Sequence, residues 1–238
     1  WVARGPKGDG RPETANIDGA GVKVGAQDMS GALLEGVIFD RADVSFSTFA
    51  GAALTGVRMV QTDLQSCSFV GAQLASCDFM GAILALGKLD DAVVEGGRFD
   101  HAYLNRCLWR RTHVQGASFC YAAFANSALD DAVFIDCDLR GANLSLGKDL
   151  LGTTTGTRFE RCDLPDTRWE GRYLDGAVFI DCRFHGASGQ PARIEGVRTE
   201  RPDHSPDGDG SVIGRGNEML SVWRGIIDWP DLLVIPWD

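Results

Sequence analysis

The sequence predicts an all-β fold in which the chain turns a corner at regular short intervals and stacks its turns as parallel sheet. Two observations carry this. Large apolar residues recur at every fifth position without a slip from Leu34 through Phe69, Phe99 and Phe124 to Leu144. A small residue stands two positions earlier in most units, as at Ala32, Ala42, Ser47, Ala52, Thr62, Cys67, Ala72, Cys77 and Ala82, with Val37 and Val57 as larger variants. A period of five suits neither regular alternative. On a helix each such step advances about 500°, smearing the large residues around every face; on a flat strand an odd step sends successive members to opposite faces. A corner in each unit lets every side point one large and one small residue inward, while successive turns pair their backbones in parallel.

Taken in order, residues 1–21 are Gly-rich and polar and are expected to form an N-terminal arm. Residues 22–200 carry the repeats. After a disturbed stretch beyond Leu144, the phase returns at Phe159, Leu164, Trp169, Leu174, Phe179 and Phe184, then fades through Gly189, Ile194 and Thr199. Residues 201–238 read as a turn-rich connector followed by a C-terminal capping segment. There Asn217 is placed to cap a short helix that Pro230 stops, with an extended "DLLVI" after it. Open coil ends expose unpaired strand edges, so a cap is expected. The apolar tail with Trp223, Trp229 and Trp237 is therefore read as a lid over the last coil or as a contact for a partner or a second copy.

Units such as "ADVSF", "AQLAS", "AYLNR" and "ANLSL" resemble the A(D/N)LXX motif of pentapeptide repeat proteins, and the resemblance covers about residues 22 to 199. It implies a right-handed quadrilateral β-helix with four units, or 20 residues, to a coil. Residues 20 apart should then stack at about 4.8 Å. Phe39, Met59, Phe79, Phe99, Phe119, Leu139, Phe159 and Phe179 would line one inner face, with Leu54, Leu74, Val94 and Val114 opposite. Six of the seven cysteines, Cys67, Cys77, Cys107, Cys137, Cys162 and Cys182, fall on the small inward position and read as buried structural thiols; Cys120 is expected partly exposed. Cys162 and Cys182, one coil apart, are expected reduced.

The stacking also aligns charges. Asp90 and Asp91, Arg110 and Arg111, and Asp130 and Asp131 would form a ladder on one corner, and Arg58, Asp78, Arg98, Asp138 and Arg158 a second row. Such ladders read as self-compensating surface. The net charge of −10 disfavours direct binding to nucleic acid or anionic lipid. No apolar run reaches the roughly 20 residues of a membrane-spanning helix. The first residues lack the basic start and apolar core of a secretory signal, and the missing initiator Met fits a processed or trimmed chain. A soluble protein of a bacterial cytoplasm or a plastid compartment fits equally.

Candidate sites are few. "LALGKLDDAVVEGGRF" (84–99) and "LSLGKDLLGTTTGTRF" (144–159) share Leu, Leu-Gly-Lys and a closing Gly-x-Arg-Phe. The Gly-rich run of a phosphate loop is absent from both. In the second copy Asp149 and Thr154 replace large apolar residues, so a bulge from Lys148 to Gly156 is expected as a recognition feature. On the third face Ile83, Tyr103 and Ala123 lie in line, flanked by Ala85, Leu86 and Ala125, an apolar row suited to a partner. "DGDGS" lacks the first and last acidic ligands of a calcium loop. No CxxC spacing suggests a metal, and His101, His113, His185 and His204 assemble with no nucleophile or acid/base partner. The sequence thus predicts a non-enzymatic, cofactor-free interaction module or structural subunit serving a protein partner or larger assembly. The alternative that the resemblance brings is an acidic, duplex-shaped decoy that binds a type II topoisomerase (gyrase) and protects it from inhibitors, with dimerisation through the C-terminal end.

Overall fold

A computed structural model describes residues 13–147 and 152–207. They wind into a parallel β-solenoid of about eight turns. Ten three-residue strands form one parallel sheet in chain order: β1 (Glu13–Ala15), β2 (Leu33–Glu35), β3 (Ala53–Thr55), β4 (Gln73–Ala75), β5 (Val93–Glu95), β6 (His113–Gln115), β7 (Val133–Ile135), β8 (Arg158–Glu160), β9 (Val178–Ile180) and β10 (Arg198–Glu200). Single parallel bridges such as Ile38 to Arg58, Asp43 to Asp63 and Thr48 to Ser68 make the other three walls. Counting from the strand row, the inward residues Leu34, Phe39, Val44 and Phe49 open sides one to four. No helix in the described residues is long and apolar enough to cross a membrane.

The five-residue period has a backbone cause. Two residues after each large inward side chain the chain enters the left-handed region, as at Arg41 (φ 59°) and Gly51 (φ 64°). At most corners the next N–H donates back to the carbonyl of the large residue, as from Ala42 to Phe39 (2.9 Å) and from Ala52 to Phe49 (3.0 Å). This is a turn whose third residue needs positive φ. It redirects the chain once per unit, and the large and small residues on either side of it both face inward.

The core follows. Phe79 and Phe99 stack at 4.7 Å between ring centroids, and Phe99 and Phe119 at 4.8 Å. These equal the separation of paired strands, so backbone pairing and ring stacking share one rise. Cys67 and Cys77 lie in the same interior, 0% and 2% exposed. Cys67 and Cys107 donate Sγ–H to the carbonyls of Val44 and Leu84 on the preceding coil. Burial pushes both thiols up to about 12.

Three expectations change. Residues 13–21, assigned to an arm, are already in the ladder: β1 pairs with β2, and Asp18 bridges Ile38. At the other end Asp203, assigned to the connector, still bridges Arg183. The largest change is in register. Phe134 pairs with Phe159, and the Arg161 to Asp136 bond spans 25 residues where other coils span 20. Leu146 still donates its N–H to Glu170, and Leu129 to Thr153, so five extra residues enter after Leu146 and before Gly152. Five is one whole unit. The inward phase survives, but every later residue moves one side along. Phe159 and Phe179 therefore stack above Phe134 on side one (both steps 5.1 Å) rather than above Leu139. Cys137 likewise joins Cys162 and Cys182 in one column of buried free thiols.

Candidate functional site

Among the described residues, six large apolar side chains are exposed: Phe46, Ile83, Leu86, Val93, Tyr103 and Tyr121. Five of them share one wall. Ile83 and Tyr103 are outward neighbours on side three, 40% and 54% exposed, bridged to each other and onward to Ala123 and Asn143. Phe46 and Leu86 sit on the corner that leaves side three, 65% and 46% exposed. Tyr121 sits on the corner that enters it, 62% exposed, its ring stacked on His101 at 5.4 Å. Gly141 lets that ring lie flat along the next coil. Its φ is +65°, and a Cβ there would meet the Tyr121 ring.

Backbone strain coincides with this exposure. Phe46 (φ 59°), Leu86 (φ 63°) and Tyr121 (φ 57°) all occupy the left-handed region. There a bulky side chain is unfavourable by roughly 1–2 kcal/mol, while glycine carries no such penalty. The fold needs only positive φ at these corners, and Gly51, Gly71 and Gly81 supply it elsewhere. Large apolar groups held there against both strain and solvent mark a surface shaped by something other than folding.

The outward positions of side three are uncharged over four coils, with Arg106 on the corner that leaves it. From coil to coil the outward residues of side three read Ile83 and Ala85, Tyr103 and Asn105, Ala123 and Ala125, Asn143 and Ser145. Asp43 and Asp63 precede this strip; Arg168 and Glu170 follow it. The other charges lie largely in pairs. Arg110 grips Asp90 through Nε (3.0 Å) and Nη2 (2.8 Å), and Arg111 grips Asp91 through both nitrogens at 2.7 Å. Further along, Arg161 holds Asp136 and Arg201 holds Asp181 in the same bidentate form. The arginines hold the carboxyls of Asp91, Asp136 and Asp181 below the usual carboxylate range.

The expected ladder is thus realised between the Asp90/Asp91 and Arg110/Arg111 levels. At the next level Asp130 instead accepts from Thr153 Oγ1 (2.5 Å) and the Thr155 N–H (3.1 Å). In the second expected row Arg58 turns to Asp40 (2.5 Å), while Arg98 lies 3.7 Å from Asp78 and 3.6 Å from Asp100.

The structure groups Ile83, Tyr103 and Leu86 as the sequence suggests. It removes Thr154 from the surface: this residue is fully buried on side four, with its N–H donating to the Tyr173 carbonyl on the next coil. The extra unit ends before Gly152, so Thr153 to Gly156 rejoin the regular wall. Lys148 and Asp149 lie outside the described residues, as do Trp223, Trp229 and Trp237. Phe46 and Tyr121 were not singled out from the sequence because they occupy corner positions, which scan as turn residues. Their signal was a bulky apolar residue two places after Val44 and Phe119, where Gly, Ser or Asp is usual.

The pentapeptide repeats family model matches residues 48–85 and 110–145, in eight copies. No curated relative matches the sequence. Among solved structures, full-length QnrB1, a plasmid-mediated fluoroquinolone resistance protein, is 14% identical; the alignment covers 91% of this chain and 99% of that one, with a TM-score of 0.50. HetL, a pentapeptide repeat protein involved in heterocyst differentiation regulation in the cyanobacterium Nostoc, is 18% identical over 86% of this chain and 94% of its own, with a TM-score of 0.40. A pentapeptide repeat protein from the Arabidopsis thaliana thylakoid lumen is 20% identical over 52% and 66%, with a TM-score of 0.34. At such identities the likeness to QnrB1 concerns the fold alone. The matched repeats, the five-residue inward phase and the four-walled parallel coil agree: residues 48–85 and 110–145 are pentapeptide repeats, and the described chain has the pentapeptide-repeat β-helix fold.

Proposed function

We propose that this protein is a non-enzymatic interaction module that presents side three and its two corners to a protein partner. The observation that carries the reading is the convergence of Phe46, Ile83, Leu86, Tyr103 and Tyr121 on side three and its corners, three of them in strained left-handed backbone. From the level of Phe46 to that of Asn126 the wall rises about 19 Å, four coil steps of roughly 4.8 Å. A rigid straight ladder of that length suits a partner segment with its own apolar groups in line, a helix face or an extended strand. The aromatic members would supply most of the affinity.

Two sets of substitutions test this without disturbing the coil. Asp43 and Asp63 already occupy the column of Ile83 and Tyr103, so Ile83→Asp with Tyr103→Asp should fold and place two charges on the contact. Leu86→Gly relieves the left-handed strain while adding freedom to the unfolded chain, leaving stability within about 1 kcal/mol. In a pull-down from native extract read by mass spectrometry, both variants should lose the partner that the wild type retains. Equal recovery by wild type and variants would sink the proposal. The decoy reading would replace it if the protein inhibited gyrase in a supercoiling assay, or rescued it from a quinolone, and the variants did so equally well. The paired corner charges give that reading less support, because a phosphate mimic needs an uncompensated acidic stripe.

A further inference from the structure

Inside the solenoid, one charged residue stands where every comparable position holds something small. The inner column between sides three and four runs Ser47, Cys67, Gly87, Cys107, Ser127, Gly152, Arg172 and Ala192. Arg172 is fully buried, and none of its three guanidinium nitrogens has a hydrogen-bond partner. Next to it on side four, Leu174 stacks on Thr154, whose buried hydroxyl oxygen is also without a partner. An unpaired guanidinium in such a place is among the most unfavourable arrangements a core can hold, since charge is stripped of water and nothing replaces it. Among the described residues, Asp130 is the charge that acts on it. That carboxylate lies on the outer surface of side four, engaged by Thr153 and Thr155. Burial pushes the Arg172 guanidinium down to about 9, so it is still a cation at neutral pH.

A side chain near it is small for its row. Side four carries Phe49, Phe69, Leu89, Trp109 and Leu129 before Thr154, so Thr154 is the first small side chain in that row. This reduction comes just after the five extra residues end, one coil before the buried cation. A donor cluster of one guanidinium and one hydroxyl, with a single net positive charge and walls closed to solvent, fits a ligand that is small, anionic and monovalent. We propose that Arg172 and Thr154 form an internal binding site for a halide-sized anion, which neutralises the guanidinium and ties the irregular coil to its neighbour.

The test compares thermal midpoints in chloride, in bromide and in methanesulfonate at constant ionic strength. Chloride and bromide should raise the wild-type midpoint, because a ligand of the folded state alone stabilises it by mass action. Arg172→Ala restores the small residue of the other units, so it should fold, and its midpoint should no longer depend on the halide. Crystals grown in bromide should show an anomalous peak beside the guanidinium. A wild-type midpoint indifferent to halide overturns the proposal, as does a halide shift that persists in Arg172→Ala. Indifference to halide together with a large loss of stability in Asp149→Asn would overturn it in favour of an internal carboxylate.

Discussion

Replacing Phe99 by Ala tests the shared rise of backbone and rings at its most demanding point. Phe99 is fully buried on side two and meets three rings: Phe79 at 4.7 Å and Phe119 at 4.8 Å, both stacked, and Trp109 edge-on at 5.9 Å. Truncating a buried phenylalanine costs about 3–5 kcal/mol, and the walls here are pinned by ladder bonds above and below, so little collapse can refill the space. The upper half of that range, about 4–5 kcal/mol, is expected. Phe99→Leu separates volume from ring contact. Leu139 and Leu164 hold the same row without a ring, and with backbone geometry kept the loss should be about 1–2 kcal/mol, chiefly the aromatic contacts. Urea unfolding followed by far-UV circular dichroism gives both numbers, provided the denaturant slope is unchanged. An Ala variant costing under about 1.5 kcal/mol, or a Leu variant costing as much as Ala, would show that rings and backbone are not locked to one rise.

Other consequences follow from the same coil. In native protein treated with iodoacetamide, only Cys120 should be modified at an appreciable rate, the six buried thiols becoming reactive on unfolding; mass spectrometry with and without denaturant counts the adducts, and a second fast adduct would contradict the burial. The folded carboxyls of Asp91, Asp136 and Asp181 are depressed by their arginines. Their contribution to stability is therefore complete above the unfolded value near 3.9 and disappears as pH falls through the lower folded values, less steeply in high salt. Asp136→Asn with Asp181→Asn should flatten the acid limb of a stability–pH curve, and an unchanged limb would refute the assignment. Deleting residues 147–151 removes one unit and returns the coil to 20 residues without altering any inward phase. The deletion variant should retain the far-UV spectrum of the wild type and a cooperative melt, and loss of either would show that the coil depends on the five extra residues.

The inward phase was legible because its cause is local: a left-handed residue in each unit fixes one corner, and Phe69 or Leu74 cannot leave the interior without breaking two turns. Side membership after Leu146 was not legible for an equally physical reason. An insertion of five residues is invisible to a rule with period five, and only the coil-to-coil step of 20 changes. Hence Phe159 kept its inward position but not its neighbours, and Thr154, expected on a bulge, came to lie inside. Ile83 and Tyr103 could be read from their 20-residue spacing, while Phe46 and Tyr121 needed the corner geometry. Arg172 carried a plain signal, a long basic residue at a small inward position, which attention to the large positions alone passes over.

The two corner inventories separate folding from recognition. Many corners hold Gly at the positive-φ position, and others take part in an arginine–aspartate clasp such as Asp91 with Arg111 or Asp181 with Arg201. Three of the corners that border side three hold Phe46, Leu86 and Tyr121, which make no ion pair and gain nothing from solvent. Ring stacking with His101 offsets part of the strain at Tyr121, but its edge remains open to a ligand. A solenoid with an almost uniform interior cannot encode a partner in its core. Specificity has to reside in departures from the repeat on the outside, and side three with its two corners is where the exposed apolar ones gather.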